Sequence, residues 1–290
     1  MSDEKKSFFA SLEPKSALIV GLVAGVLVIC TIGFVIMLGV YFSKSGGKAG
    51  VGLASNSTPA AAANNQAQQP EPTPSVTKSD KPVVELFVMA YCPYGLQMEK
   101  AFAPVMQLLG SKADMSIKFV SYAMHGKKEL DENTRQYCIE TGQPTKYLAY
   151  LNCFFTAGQN DGTEAKYQQC LSSAGVNESA LNSCVSKTDK TYSITAKFND
   201  QSTWLSGQYP VYLVDQSLND KYGVQGSPTL VINGAQVEAS RSPEAVKQVV
   251  CAAFNNAPAE CSQTLATTGS SAGFGAGAAS GNTVDAACGN

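Results

Sequence analysis

Histidine is almost absent from this chain. His125 stands alone among 290 residues, beside a single tryptophan, Trp204. One histidine excludes the histidine-rich zinc sites, and without a placed partner it reads as a loop or capping residue rather than a proton shuttle. No Cys-x-x-Cys pair occurs either, so neither a zinc ribbon nor a two-thiol redox motif is written in the usual form. Charge is sparse and nearly balanced, with 21 basic and 23 acidic residues and no long basic run. That balance gives nucleic acid no electrostatic footprint. No metal and no cofactor is expected.

Charge is missing altogether from residues 17–42, ALIVGLVAGVLVICTIGFVIMLGVYF. At about 1.5 Å per residue this run is long enough to cross a hydrocarbon layer roughly 30 Å thick. It exceeds the apolar core of a cleaved signal peptide, so it reads as an uncleaved single anchor behind a short cytoplasmic N-terminus, residues 1–16. Cys30 inside it reads as a small apolar residue. Gly21, Gly25, Gly33 and Gly39 leave room for helix pairing. Large apolar residues are then nearly absent from 43–80, which is Gly, Ser, Ala, Asn, Gln and Pro and reads as a flexible linker. Residues 262–290 are dominated by Gly, Ala and Ser and read as a disordered tail carrying Cys288.

Between them, 81–261 is patterned. Val83–Met89 is a short branched run that reads as a buried strand. Cys92-Pro93-Tyr94-Gly95 opens a helix whose apolar residues Met98, Phe102, Val105, Met106 and Leu109 recur at helical spacing. Pro93 suits the first turn, Gly110 the stop, and Pro104 a kink. Met115–Ala123 alternates as a second strand, which completes a βαβ unit with Cys92 at the C-terminal edge of the first strand. From about 125 to 205 short helices follow, one of them capped by Asn177. Tyr222–Val237 then reads as a hairpin turning at Asn233-Gly234, and Ser242-Pro243 starts a last helix. The fold class is α/β. Trp204, Tyr209, Tyr212 and Tyr222 read as core and rim.

Six cysteines remain in this body: Cys138, Cys153, Cys170, Cys184, Cys251 and Cys261. An even set on short helices points to disulfides, against the alternatives of reduced buried thiols or metal ligands. Six cysteines permit fifteen connectivities. Closeness along the chain favours Cys138 with Cys153, Cys170 with Cys184, and Cys251 with Cys261. Bridges persist in an oxidising compartment, so the body is expected outside the cytoplasm of a single-pass protein of the cell membrane.

Cys92-Pro93-Tyr94 opening a helix, with Gly226-Ser227-Pro228-Thr229 before a strand, resembles the active-site helix and cis-proline loop of the thioredoxin fold. The helical block between them resembles that of DsbA-like proteins. His125-Gly126, Asn133 and the six body cysteines, in order, resemble the gamma-interferon-inducible lysosomal thiol reductase family. The resemblance covers Pro82 to Cys261. Two departures stand out: Gly95 occupies the place of the family's second catalytic cysteine, and Met124 and Leu130 stand where cysteines are usual.

A thiol at a helix N-terminus is stabilised as thiolate by unpaired N–H groups and the helix dipole. Cys92 is therefore the candidate nucleophile. Pro93, Tyr94, Gly95, Ser227 and Pro228 are the candidate substrate contacts, with the Ser227 backbone available to an extended strand. Without a cysteine at position 95, this site is expected to work as a one-cysteine thiol-disulfide exchanger or isomerase on a cysteine-containing protein or peptide, reset by an unknown redox partner. Cys288 is a distant candidate for a resolving thiol. The competing expectation is a non-catalytic module that holds a peptide or partner in the same groove. A third, an iron-sulfur cluster carrier of one-cysteine glutaredoxin type, fits poorly with an oxidising compartment.

Overall fold

The computed structural model describes residues 76–156, 164–278 and 287–289. The expected cytoplasmic N-terminus, the membrane span 17–42 and the linker as far as residue 75 lie outside the described residues. Among the described residues no helix is long and apolar enough to cross a membrane.

The first unit is β1 (Val83–Val88), α1 (Pro93–Leu109) and β2 (Asp114–Phe119). β1 and β2 are parallel, Val83 opposite Asp114 and Val88 opposite Phe119. The last unit is β3 (Thr229–Ile232), β4 (Ala235–Gln236) and α8 (Pro243–Ala252). β3 lies antiparallel to β1, and the sheet order is β2-β1-β3-β4. Between the units run α2 (Lys127–Gly142), α3 (Pro144–Thr156), α4 (Glu164–Ala174), α5 (Glu178–Tyr192), α6 (Ile194–Asn199) and α7 (Gln216–Tyr222). This is a thioredoxin-like sheet with a helical insertion.

Alternation along the strands sorts side chains to two faces. Val84, Leu86 and Val88, with Leu230 and Ile232, join the large core under α1 and α8. Phe87, Met89 and Val231 face the other way, against Val224, Leu218 and Tyr222. The hairpin turns at Asn233 and Gly234, both at positive φ, 48° and 84°. That suits the twist of the flanking strands and explains the Asn-Gly pair. The caps form as the residue types dictate: Asn177 accepts from the Ala180 amide at 3.0 Å and Ser242 from the Ala245 amide at 3.3 Å. α1 runs unbroken through Pro104.

Three expectations change. The second strand ends at Phe119 rather than Ala123, because β1 gives way to the turn before Cys92 and residues 121–123 pair instead with 210–212. Two of the three favoured cysteine pairs are wrong: the bridges are Cys138–Cys184 and Cys153–Cys170, with Cys251–Cys261 as expected. Closeness along the chain misled, because α5 returns to pack on α2 while α3 packs on α4.

The third change concerns the tail, which was expected to be disordered throughout 262–290. Residues 270–275 are laid against α1. The Gly273 amide donates to the Pro93 carbonyl and the Gly275 amide to that of Phe155, both at 2.8 Å. Lys100 Nζ donates to the carbonyls of Ser271, Gly273 and Gly275 at 2.7, 2.8 and 3.0 Å. Phe274 sits edge-on to Tyr91 and Phe154, at centroid separations of 5.7 and 5.2 Å. One ammonium collecting three carbonyls and one aromatic ring in a pocket order a stretch with few large apolar residues.

Candidate functional site

Cys92 lies where β1 ends and α1 begins. It is the N-cap of the helix, and its sulfur accepts from the Gly95 amide at 3.3 Å. The helix has no acidic residue in its first turn to oppose a thiolate there. The amides leading into Cys92 are each held by a side chain from another part of the chain. Met89 N donates to Ser227 Oγ at 2.9 Å, Ala90 N to Asn133 Oδ1 at 3.1 Å, and Tyr91 N to Glu129 Oε1 at 3.0 Å. All three acceptors belong to fully buried residues.

Glu129 is the functional candidate that sequence reasoning missed. It also accepts from the amides of Met124 and His125, at 2.8 and 3.1 Å, and its carboxylate lies 2.8 Å from His125 Nδ1. The signal was present as a His-x-x-x-Glu spacing at the start of a helix. Asn133 was part of the resemblance, and here it takes a definite role as a brace of the active-site turn.

Further down α1, Glu99 is buried and neither carboxylate oxygen has a hydrogen-bond partner among the described residues. Burial, and then the neighbouring Glu132, push its pKa well above the ordinary carboxylate range.

Opposite Cys92 stands the loop before β3, with a cis Ser227–Pro228 peptide bond. Cys92 Sγ lies 3.3 Å from the Ser227 carbonyl oxygen. Gly95 explains itself here. A Cβ at this position would fall 2.5 Å from Ser227 Oγ and 3.2 Å from the Met89 carbonyl oxygen. The room that a second thiol would need is filled by the hydroxyl that braces Met89.

The one-cysteine reading does not hold. Cys92 is bonded to Cys288, 196 residues away, with 6.0 Å between their Cα atoms. The tail approaches as an extended segment beside the proline loop: Ser227 N donates to Cys288 O at 2.9 Å and Cys288 N to Ser227 O at 2.7 Å. Sequence reasoning treated Cys288 as remote because no pattern links it to Cys92; the link is a single antiparallel bridge made in space. Cys92 itself has no exposed surface. Of the predicted contacts, Gly95 and Ser227 meet the bridge directly and Pro93 and Pro228 adjoin Cys92 and Ser227 in sequence; Tyr94 packs on the same cluster as Cys92 and Cys288, with the Arg241 guanidinium 5.4 Å from its ring centre. The six remaining body cysteines are all in bridges away from this site. Among the described residues no group of His, Cys, Asp or Glu is arranged to hold a metal.

No protein-family model and no curated protein matches the sequence. Among solved structures, the chain is similar to the disulfide bond oxidoreductase DsbG of Mycobacterium tuberculosis in its reduced form, at 16% identity and a TM-score of 0.44, over 64% of this chain and 88% of that one. It is similar to DsbA of the same organism at 16% identity and a TM-score of 0.43, over 64% and 93% of the two chains. BdbD of Bacillus subtilis, oxidised, matches at 17% identity and a TM-score of 0.40, over 61% and 90%.

Proposed function

We propose that this protein carries out thiol-disulfide exchange, with Cys92 as nucleophile and Cys288 as the thiol that resolves it. The observation that carries the reading is the Cys92–Cys288 bond itself, made at the N-cap of α1 and beside Ser227. In the reduced protein the Cys92 thiolate, stabilised by the amides of the first helical turn, attacks one sulfur of a substrate disulfide. A Cys92–substrate disulfide forms and the other substrate sulfur leaves as thiolate. Cys288 then attacks Cys92 Sγ, the Cys92–Cys288 bond forms, and the second substrate thiolate leaves. Two electrons pass from protein to substrate, and a dithiol or two monothiols in trans reverse the bond. With the roles exchanged, the same steps oxidise a substrate dithiol. The stretch 270–275, anchored on α1, keeps the chain that leads to Cys288 near its target, which favours the intramolecular step.

The cell-membrane anchor through residues 17–42 and an extracytoplasmic body belong to the same proposal. Four disulfides among the described residues support the compartment, since such bonds persist under oxidising conditions. A second reading, a module that holds peptides without turnover, draws on the complete burial of Cys92 behind the tail.

A disulfide-linked fluorogenic peptide in thiol buffer separates the two. Exchange predicts that Cys92→Ser loses turnover by on the order of a hundredfold or more, and that Cys288→Ser accumulates a Cys92–peptide mixed disulfide that resolves slowly. Turnover by Cys92→Ser equal to that of the native chain overturns the proposal and leaves the holding module.

A further inference from the structure

The segment bonded to Cys92 is placed as a peptide bound to the protein, and its fit specifies what the groove accepts. Both main-chain groups of Cys288 are paired with Ser227, so the groove reads backbone at that position. Gly226 lets the two chains approach: a Cβ there would fall 2.7 Å from the Cys288 carbonyl oxygen and 3.0 Å from that of Gly289. The next position is restricted in another way. Gly289 has φ +82°, in the left-handed region, and a Cβ on it would fall 1.9 Å from Tyr122 Oη and 3.0 Å from Tyr122 Cζ. Tyr122 is not free to swing aside, because its hydroxyl donates to the Gln225 carbonyl at 2.7 Å and its ring is buried against Tyr209.

Beside Gly289 the surface opens into a cavity of about 470 Å³ lined by Met124, Leu205, Tyr209 and Val224. Met124 and Leu205 are the partly exposed apolar residues of that wall, at 36% and 46% exposure. The restriction therefore falls on one residue and not on the whole groove.

We infer that the Ser227 edge is a subsite for an extended peptide segment in which the reacting cysteine is followed by glycine, and that Cys288-Gly289 is the chain's own competitor for it. This rests on the exchange reading above. A substrate enters when the Cys92–Cys288 bond is reduced and the tail segment leaves. Its cysteine then takes the place of Cys288, with the same two backbone hydrogen bonds, and its glycine passes under Tyr122. The Cys92 thiolate forms a bond to the peptide sulfur as the peptide's own disulfide breaks and one thiolate departs, so the number of disulfides is unchanged.

The test uses the full chain carrying Cys288→Ser, with symmetrical disulfides of Ala-Ala-Cys-Gly-Asn and Ala-Ala-Cys-Ala-Asn as probes and intact mass as readout. An L-residue forced to positive φ is disfavoured by on the order of tenfold. The glycine peptide is expected to form the Cys92 mixed disulfide at least that much more favourably, the Tyr122 wall adding to the difference. Equal yields from both peptides overturn the subsite while leaving exchange intact; no mixed disulfide from either overturns the exchange reading itself. In the native-cysteine chain, Gly289→Ala changes only the tail. It is expected to lower the equilibrium constant for closing Cys92–Cys288 in a thiol buffer by about tenfold. An unchanged constant overturns the inference.

Discussion

Replacing Gly95 with alanine puts a methyl group where Ser227 already has its hydroxyl, and the consequences can be worked through as a double-mutant cycle. The added Cβ would lie 2.5 Å from Ser227 Oγ, so the hydroxyl has to leave. Its departure strips the buried Met89 amide of its acceptor at 2.9 Å. An unsatisfied buried donor costs about 1–3 kcal/mol. Against this stands the better helix propensity of alanine, at most about 1 kcal/mol and less in a first turn. Gly95→Ala is thus expected to lose about 1–2 kcal/mol. Ser227→Ala alone loses the same hydrogen bond and a similar amount. In the Ser227→Ala background, however, the hydroxyl is already gone, and the tightest contacts left to the methyl are the Met89 carbonyl oxygen at 3.2 Å and Cys92 Cβ at 3.3 Å. Those contacts yield by a few tenths of an ångström, and Gly95→Ala becomes nearly neutral. The expected coupling energy is on the order of 1–2 kcal/mol. Urea denaturation of the four proteins, each with its bridges intact, measures it. Losses that add within about 0.5 kcal/mol would refute the claim that Ser227 occupies the second-thiol position.

Two further predictions concern groups away from the sulfur. Glu140 on α2 accepts from the Ile117 amide of β2 at 3.0 Å, and burial, the largest cause, raises its pKa from 4.5 to about 7. The folded protein therefore binds this proton more tightly than the unfolded chain. The contribution is full below pH 4.5 and is lost as pH rises through 7. Comparing denaturation of the native chain with Glu140→Gln, the native chain should lose up to about 3 kcal/mol relative to the variant between pH 5 and 8; parallel profiles would contradict it. Lys100→Met removes the ammonium shared by three tail carbonyls, so the Gly273 and Gly275 amides should exchange hydrogen faster by on the order of tenfold. Unchanged protection would refute a role for Lys100 in ordering this stretch and leave Phe274 and the backbone hydrogen bonds to hold it.

Residue types and spacing were enough to place most of the architecture. The branched run at Val83, the helical repeat after Cys92, the Asn233-Gly234 turn and the Ser242-Pro243 cap each act over a few neighbouring residues, and local chemistry decides them. The cis Ser227–Pro228 loop came from resemblance, carried by Gly226-Ser227-Pro228-Thr229. Pairings between distant segments were not legible in the same way. Cys138 with Cys184 and Cys153 with Cys170 depend on which helix packs on which, and chain distance is a poor guide to that. Glu129 acts on the turn before Cys92 from 38 residues away, a contact that no local pattern announces.

Sequence by itself determined that a cysteine would stand at the tip of a helix, since helix start signals act over a few neighbouring residues; that a proline loop would face it came from the resemblance. Only the tertiary structure decided that this sulfur has a partner. A tail of glycine, alanine and serine carries no pattern of its own; its described stretches are held by Lys100, by the pocket for Phe274 and by two backbone hydrogen bonds at Ser227, and all of these exist only after the sheet and α1 have come together.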